Sequence, residues 1–103
     1  MIHVLAIITA HPGQRAAILD AFHANTAAVR AEAGCIEYAA VVDTDGLPPS
    51  FATFGPDTFV VVEKWENMAA LRAHGAAPHM AAYAAQVKDL TASRAIHVLT
   101  PTA

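Results

Sequence analysis

The sequence predicts an α+β fold of one domain over residues 1–103: a four-stranded antiparallel sheet with its helices on one face, in the order β-α-β-β-α-β. Three observations predict it. Four short stretches are rich in apolar and β-branched residues, and between some of these apolar residues recur with helical spacing. The strand stretches come as one, then two in succession, then one, which is the ferredoxin-like split arrangement. The length allows a single core, since a chain this size buries roughly two-thirds of the surface its unfolded form exposes.

The first strand is Ile2 to Thr9, rich in β-branched residues. His11-Pro12-Gly13 breaks it, and a helix follows from about Gln14 to Glu32. Leu19, Phe22, Thr26 and Val29 make its stripe, with Ile18 at the margin. Gly34 suits the left-handed position just past a helix end. Cys35 to Val42 is the second strand. Asp43 to Asp57, with Gly46, Pro48, Pro49, Gly55 and Pro56, is a loop long for a strand–strand connection. Phe51 and Phe54 within it are unusual for a solvated loop. They either anchor it to the body or cover a cleft as a lid that sets substrate choice. Phe59 to Trp65 is the third strand. Asn67 caps a short helix that ends at His74-Gly75, and Pro78 opens the next, whose stripe is Met80, Tyr83, Val87 and Leu90. Arg94 to Leu99 closes the sheet.

An antiparallel sheet with one wet face alternates apolar and polar residues. Strands one and two and most of strand three lack that alternation: His3, Leu5, Ile7 and Thr9 are nearly as apolar as Ile2, Val4, Ala6 and Ile8. Helices exist for one face only. The other face is therefore expected against a second sheet, most simply in a homodimer. Composition agrees, with 55% hydrophobic and only 15% charged residues against a usual ~25% charged. The formal charge of -3 and the absence of a basic run argue against nucleic acid as a partner. No apolar run reaches the ~18 residues of a membrane span. The alternating start lacks a basic leader region, so a cytoplasmic protein is expected. The single Cys35 cannot form an internal disulfide.

The chemistry-bearing residues gather in one stretch, Glu63 to Met80. A strand ending in the only Trp passes into a helix that ends at His74, and a second helix restarts at Pro78-His79. At this point the chain resembles the antibiotic biosynthesis monooxygenase family, within the dimeric α+β barrel superfamily. The residues that carry the resemblance are Gly34-Cys35 and Tyr38 entering strand two, then Glu63-Lys64-Trp65, Leu71, His74 and Pro78-His79-Met80, and it spans Ile2 to Leu99.

The resemblance implies a monooxygenase that uses no metal and no flavin. An electron-rich phenol, a small aromatic quinol or polyketide-like phenol, is deprotonated in an apolar cleft between sheet and helices, and its anion passes an electron to O2. Trp65, His74 and His79 would border that cleft. Other branches of the superfamily degrade heme or isomerise phosphorylated sugars. Against the first stand Ala6 and Ile7 where an Asn would fall, and His74 and Ala84 where a Trp and a ligand His would fall. Against the second stands the supply of cations, Lys64, Lys88 and four Arg. A non-catalytic ligand-binding or stress-response module of the same fold is the competing reading.

A cofactorless oxygenation needs a base near neutral pH, and imidazole is the side chain whose ordinary pKa lies there. His74 and His79 are thus the candidate catalytic residues, with Tyr83, one helical turn after His79, next. Trp65 would wall the cleft, Glu63 would orient an imidazole, and Phe51 or Phe54 would cover the substrate. A metal site is disfavoured, because His74 and His79 are five apart across a helix break and a helical pair is usually four apart.

Overall fold

Nine residues, Ile2–Ala10, run as strand β1, one of the two inner strands, in a computed structural model of the chain, which describes residues 1–103. Helix α1 spans Arg15–Arg30, strand β2 Cys35–Val41 and strand β3 Thr58–Trp65. Helix α2 spans Met68–Ala76 and helix α3 Pro78–Val87; a 3-10 turn, Lys88–Leu90, leads into strand β4, Thr91–Leu99. The sheet order is β2-β3-β1-β4, every pairing antiparallel. This is the ferredoxin-like arrangement that the element order predicts. No helix is long and apolar enough to cross a membrane.

One face of the sheet carries Val4 and Ala6 from β1, Tyr38 from β2, and Phe59, Val61 and Trp65 from β3. Ile18, Phe22 and Val29 of α1 close over them, and all nine are buried. Phe22 lies flat on Tyr38, ring centroids 5.0 Å apart and 17° between planes. Aromatic stacking adds to the area term here, so the pair ties α1 to the outer strand β2. Arg30, at the end of α1, donates from Nε and Nη2 to the Tyr38 carbonyl at 3.1 and 2.9 Å and fixes the same contact from above.

Four boundaries differ from the sequence reading by two residues or more, and several others by one. Helix α1 ends at Arg30 rather than Glu32, because the chain turns at Ala31 to bring Gly34, with φ +83°, into β2. Helix α2 runs through Gly75 to Ala76. What stops it is Ala77, held extended at φ -65°, ψ 136° by the proline that follows. Helix α3 ends at Val87, short of Leu90, and β4 begins three residues before Arg94.

The loop 43–57 is held in shape by backbone N–H groups gathered on one carboxylate. Asp43 accepts from Phe54 N at 3.0 and 3.1 Å and from Gly55 N at 2.8 Å. Those bonds hold the Asp43 carboxyl below its ordinary range. Arg15 adds bonds to the Gly55 and Thr58 carbonyls. The loop is tethered through polar groups, while the rings of Phe51 and Phe54 stay 58% and 56% exposed. Within one chain neither ring anchors the loop, contrary to the first of the two expectations.

Helices α2 and α3 do not reach across β4. Its Ile96 and Val98 face the helical side, yet are 56% and 48% exposed. The gap is a cavity of about 510 Å³ between the sheet and α2–α3.

Candidate active site

That cavity is walled mainly by apolar groups, among them Val4, Ala6, Phe22, Val61, Leu71, Met80, Ile96 and Val98. Its polar lining comes from Tyr38, Glu63, His74, Tyr83 and Arg94. His74 reaches it from the last turn of α2. That helix is placed by Asn67, whose side-chain oxygen caps it by accepting from Ala70 N at 2.9 Å. Glu63 arrives from β3, where odd-numbered residues face the helices.

His74 is held on three sides. Its Nδ1 lies 2.8 Å from Glu32 Oε2. Its ring leans on the Trp65 indole, centroids 4.6 Å apart at 36°, and meets Tyr38 edge-on at 5.5 Å. Its Nε2 stands 3.9 Å from Glu63 Oε1, beyond hydrogen-bond reach, and both residues line the cavity. A carboxylate on one imidazole nitrogen keeps that nitrogen as the N–H donor and leaves the lone pair on the other. Glu32 therefore leaves Nε2 as the proton acceptor.

Glu63 Oε1 accepts the Trp65 indole N–H at 2.9 Å. Burial pushes the Glu63 carboxyl above its ordinary range. The indole bond and the nearby His74 pull the other way, and the charge of Glu32 adds to the rise. Burial also raises the phenols of Tyr38 and Tyr83, so both stay protonated at neutral pH and can donate but not act as the resting base. The half-buried Cys35 thiol is raised by burial and by the charges of Glu32 and Glu63, which keeps it from thiolate chemistry.

Residues 1–86 match the family described as antibiotic biosynthesis monooxygenase. The chain belongs to the antibiotic biosynthesis monooxygenase family. Over 103 residues it is 41% identical to the protein named probable quinol monooxygenase YgiN of Escherichia coli K12, and the match covers 98% of each chain. Its fold matches the crystal structure of PA3566 from Pseudomonas aeruginosa with a TM-score of 0.82 at 28% identity, over 99% of this chain and 94% of that one. It matches Rv0793 from Mycobacterium tuberculosis with a TM-score of 0.80 at 29% identity, over 99% and 95%.

Within this family member, the residues singled out from sequence divide into three groups. His74, Glu63 and Tyr83 come together on the cavity wall. Trp65 and His79 stand behind it. Trp65 is completely buried, a backstop for His74 and a donor to Glu63 rather than a wall of the cavity. His79 turns Nε2 toward Glu32 Oε2 at 3.6 Å, while its buried Nδ1 has no partner. Phe51 and Phe54 stand apart, within the β2–β3 connection, and line neither this cavity nor the other one beside it. No three of the chain's His, Cys, Asp and Glu side chains are grouped to hold a metal ion. The residue missed from sequence is Glu32. Read as the last turn of a helix it looks solvated. Released from the helix it swings beneath His74.

Proposed function

We propose that the chain is a quinol monooxygenase that uses O2 directly, with His74 as the base and Glu32 as the group that orients it. The observation that carries this is the Glu32–His74 pair at the wall of a largely apolar cavity. The name of the 41% identical Escherichia coli protein supports the same substrate class.

The quinol hydroxyl gives its proton to His74 Nε2. The quinolate passes one electron to O2, and the resulting semiquinone and superoxide combine to form a C–O bond at a ring carbon. His74 returns its proton to the terminal peroxide oxygen. The ring hydrogen leaves as a proton, the O–O bond breaks, and the terminal oxygen departs as water while the other stays on the ring. The net change is quinol plus O2 to hydroxyquinone plus water. Apolar walls favour the step because O2 is apolar and because a poorly solvated anion is a better electron donor.

The proposed working unit is a homodimer joined through the uncovered sheet face, with Phe51 and Phe54 of the loop reaching toward the partner subunit. The test is turnover of a neutral naphthohydroquinone under ¹⁸O₂, read by mass spectrometry. One labelled oxygen in the quinone is expected, with about 10²–10⁴-fold lower turnover for His74→Ala. Unlabelled quinone with stoichiometric hydrogen peroxide would overturn the oxygenase reading, and full turnover in His74→Ala would remove His74 as the base.

A further inference from the structure

Beside the cavity that holds His74 lies a second of similar size, about 510 Å³, between α3, the 3-10 turn and the start of β4. The two share a wall of Ile8, Met80, Tyr83, Ala84 and Arg94. They differ in charge. The first holds the carboxyl of Glu63. The second has no acidic residue in its lining and adds Lys88 to Arg94.

The placement of these two cations stands out against the other four. Arg15 is occupied by the loop carbonyls of Gly55 and Thr58, and Arg30 by the Tyr38 carbonyl. Lys64 pairs with Glu37 at 2.9 Å. Arg72 lies exposed on α2, away from both cavities. Lys88 and Arg94 have no acidic partner within 4.0 Å, and both line the same cavity. In a chain of formal charge -3, two of the three cations without a partner, Lys88 and Arg94 but not Arg72, thus converge on one site beside the reaction chamber. Arg94 lies at the junction, opposite Ile8 in the β1–β4 pairing, and borders both chambers.

We propose that the second chamber is an anion subsite and that the substrate is an amphipathic quinol. Its ring sits against His74 while a side chain passes Tyr83 and Met80 and ends in a carboxylate held by Lys88 and Arg94. This rests on the quinol monooxygenase reading and narrows its substrate class. Arg94 supplies a planar fork matched to a carboxylate, and Lys88 a mobile point charge. Ile8, Met80, Ala84 and Val87 supply the apolar path between the two ends.

The experiment compares a neutral naphthohydroquinone with analogues carrying a carboxylate on alkyl chains of graded length. Two steady-state constants are read for the wild type, Lys88→Ala, Arg94→Ala, Arg94→Lys and the double Ala variant. Wild type is expected to favour the best-fitting carboxylated analogue by at least roughly tenfold in kcat/KM, mainly through a lower KM. Lys88→Ala, which lines the second chamber alone, should lose most of that preference while keeping its turnover of the neutral quinol; Arg94→Ala should lose the preference as well, and Arg94→Lys should recover part of it. Raising the salt concentration should weaken the preference, as for any partly exposed charge pair.

Turnover of the neutral quinol with no gain from the carboxylate at any chain length would overturn the anion subsite and leave the quinol reading standing. Absence of turnover on every quinol would overturn the quinol reading. The subsite is then judged by calorimetric binding of the oxidised carboxylated quinone to wild type and to the double variant, and equal binding to both would overturn it as well.

Discussion

At the scale of single residues, the site is one imidazole between two carboxylates in unlike environments. Glu32 touches His74 and orients it; Glu63 is spoken for by the Trp65 indole and faces the cavity. Glu32→Gln preserves shape but offers an amide that accepts or donates with equal ease, so the imidazole tautomer is no longer held. The expected result is a loss of about 10–100-fold in kcat with KM nearly unchanged, the size typical of a lost orienting partner. A KM effect alone would make Glu32 a structural residue. His79→Ala should lower kcat by far less than His74→Ala, because His79 stands behind the wall. Glu63→Gln tests the other carboxylate through stability. Its carboxyl is raised in the folded protein, so the folded state binds that proton more tightly than the unfolded chain does. Its favourable contribution is complete below the ordinary carboxylate range and is lost as pH rises through the folded value. Gln imitates the protonated form at every pH. Thermal melts should therefore find the variant and wild type alike near pH ~4 and the variant more stable by pH ~8. The opposite order would mean that the ionised carboxylate is the stabilising form.

At the scale of elements, the site depends on how closely the start of β2 approaches α2. Gly34 adopts φ +83°, and a Cβ there would stand 2.6 Å from the Ala70 Cβ. Its carbonyl accepts from Glu66 N at 2.9 Å, which fixes the turn into the helix that carries His74. Gly34→Ala must both strain the backbone, at about 1–2 kcal/mol, and push α2 outward. The expected outcome is a lower Tm together with lower turnover, and adding Ala70→Gly should restore turnover more than Tm, since it relieves the clash but not the strain. Equal loss of both in the double variant would show that α2 does not move. This contact also marks the limit of what the sequence disclosed. The strands, the order of elements and the junction at Glu63–His79 were legible from periodicity and from Asn67 and Pro78, which act locally. Gly34 was legible as a turn, but its approach to Ala70 pairs residues from separate elements. Glu32 was hidden for a related reason: whether a helix ends at Arg30 or two residues later decides whether that side chain faces solvent or His74. Of the two readings of Phe51 and Phe54, the anchor fails within one chain, because the loop is held by Asp43 and both rings stay exposed.

At the scale of the whole molecule, the chain is thin for its length. It is a plate 39 × 37 × 20 Å, one sheet layer and one helix layer thick. Its radius of gyration is 14.2 Å, against about 13 Å for a compact domain of this length. It exposes 6384 Å², where a monomer of this mass exposes about 5,500 Å². The excess includes the face without helices. There the pairing aligns Val41, Val60, Ile7 and Ala95 in one row and Ala39, Val62, Leu5 and His97 in the next. The third row, Glu37, Lys64, His3 and Leu99, is edged by the Glu37–Lys64 ion pair at 2.9 Å. Two rows, apolar but for His97, bordered by one polar row make the patch that the proposed two-fold dimer would bury. Leu5 lies in its centre on the inner strand β1, so Leu5→Lys places an unpaired charge in the proposed interface without touching the helix-side core. Sedimentation should find wild type as a dimer and the variant as a 10.8 kDa monomer, with Kd raised at least about 100-fold. Circular dichroism should find the helices intact. If the variant still sedimented with the wild-type mass, the dimer would have to form elsewhere, and the exposed edge strand β4 with Ile96 and Val98 would be the next surface to test.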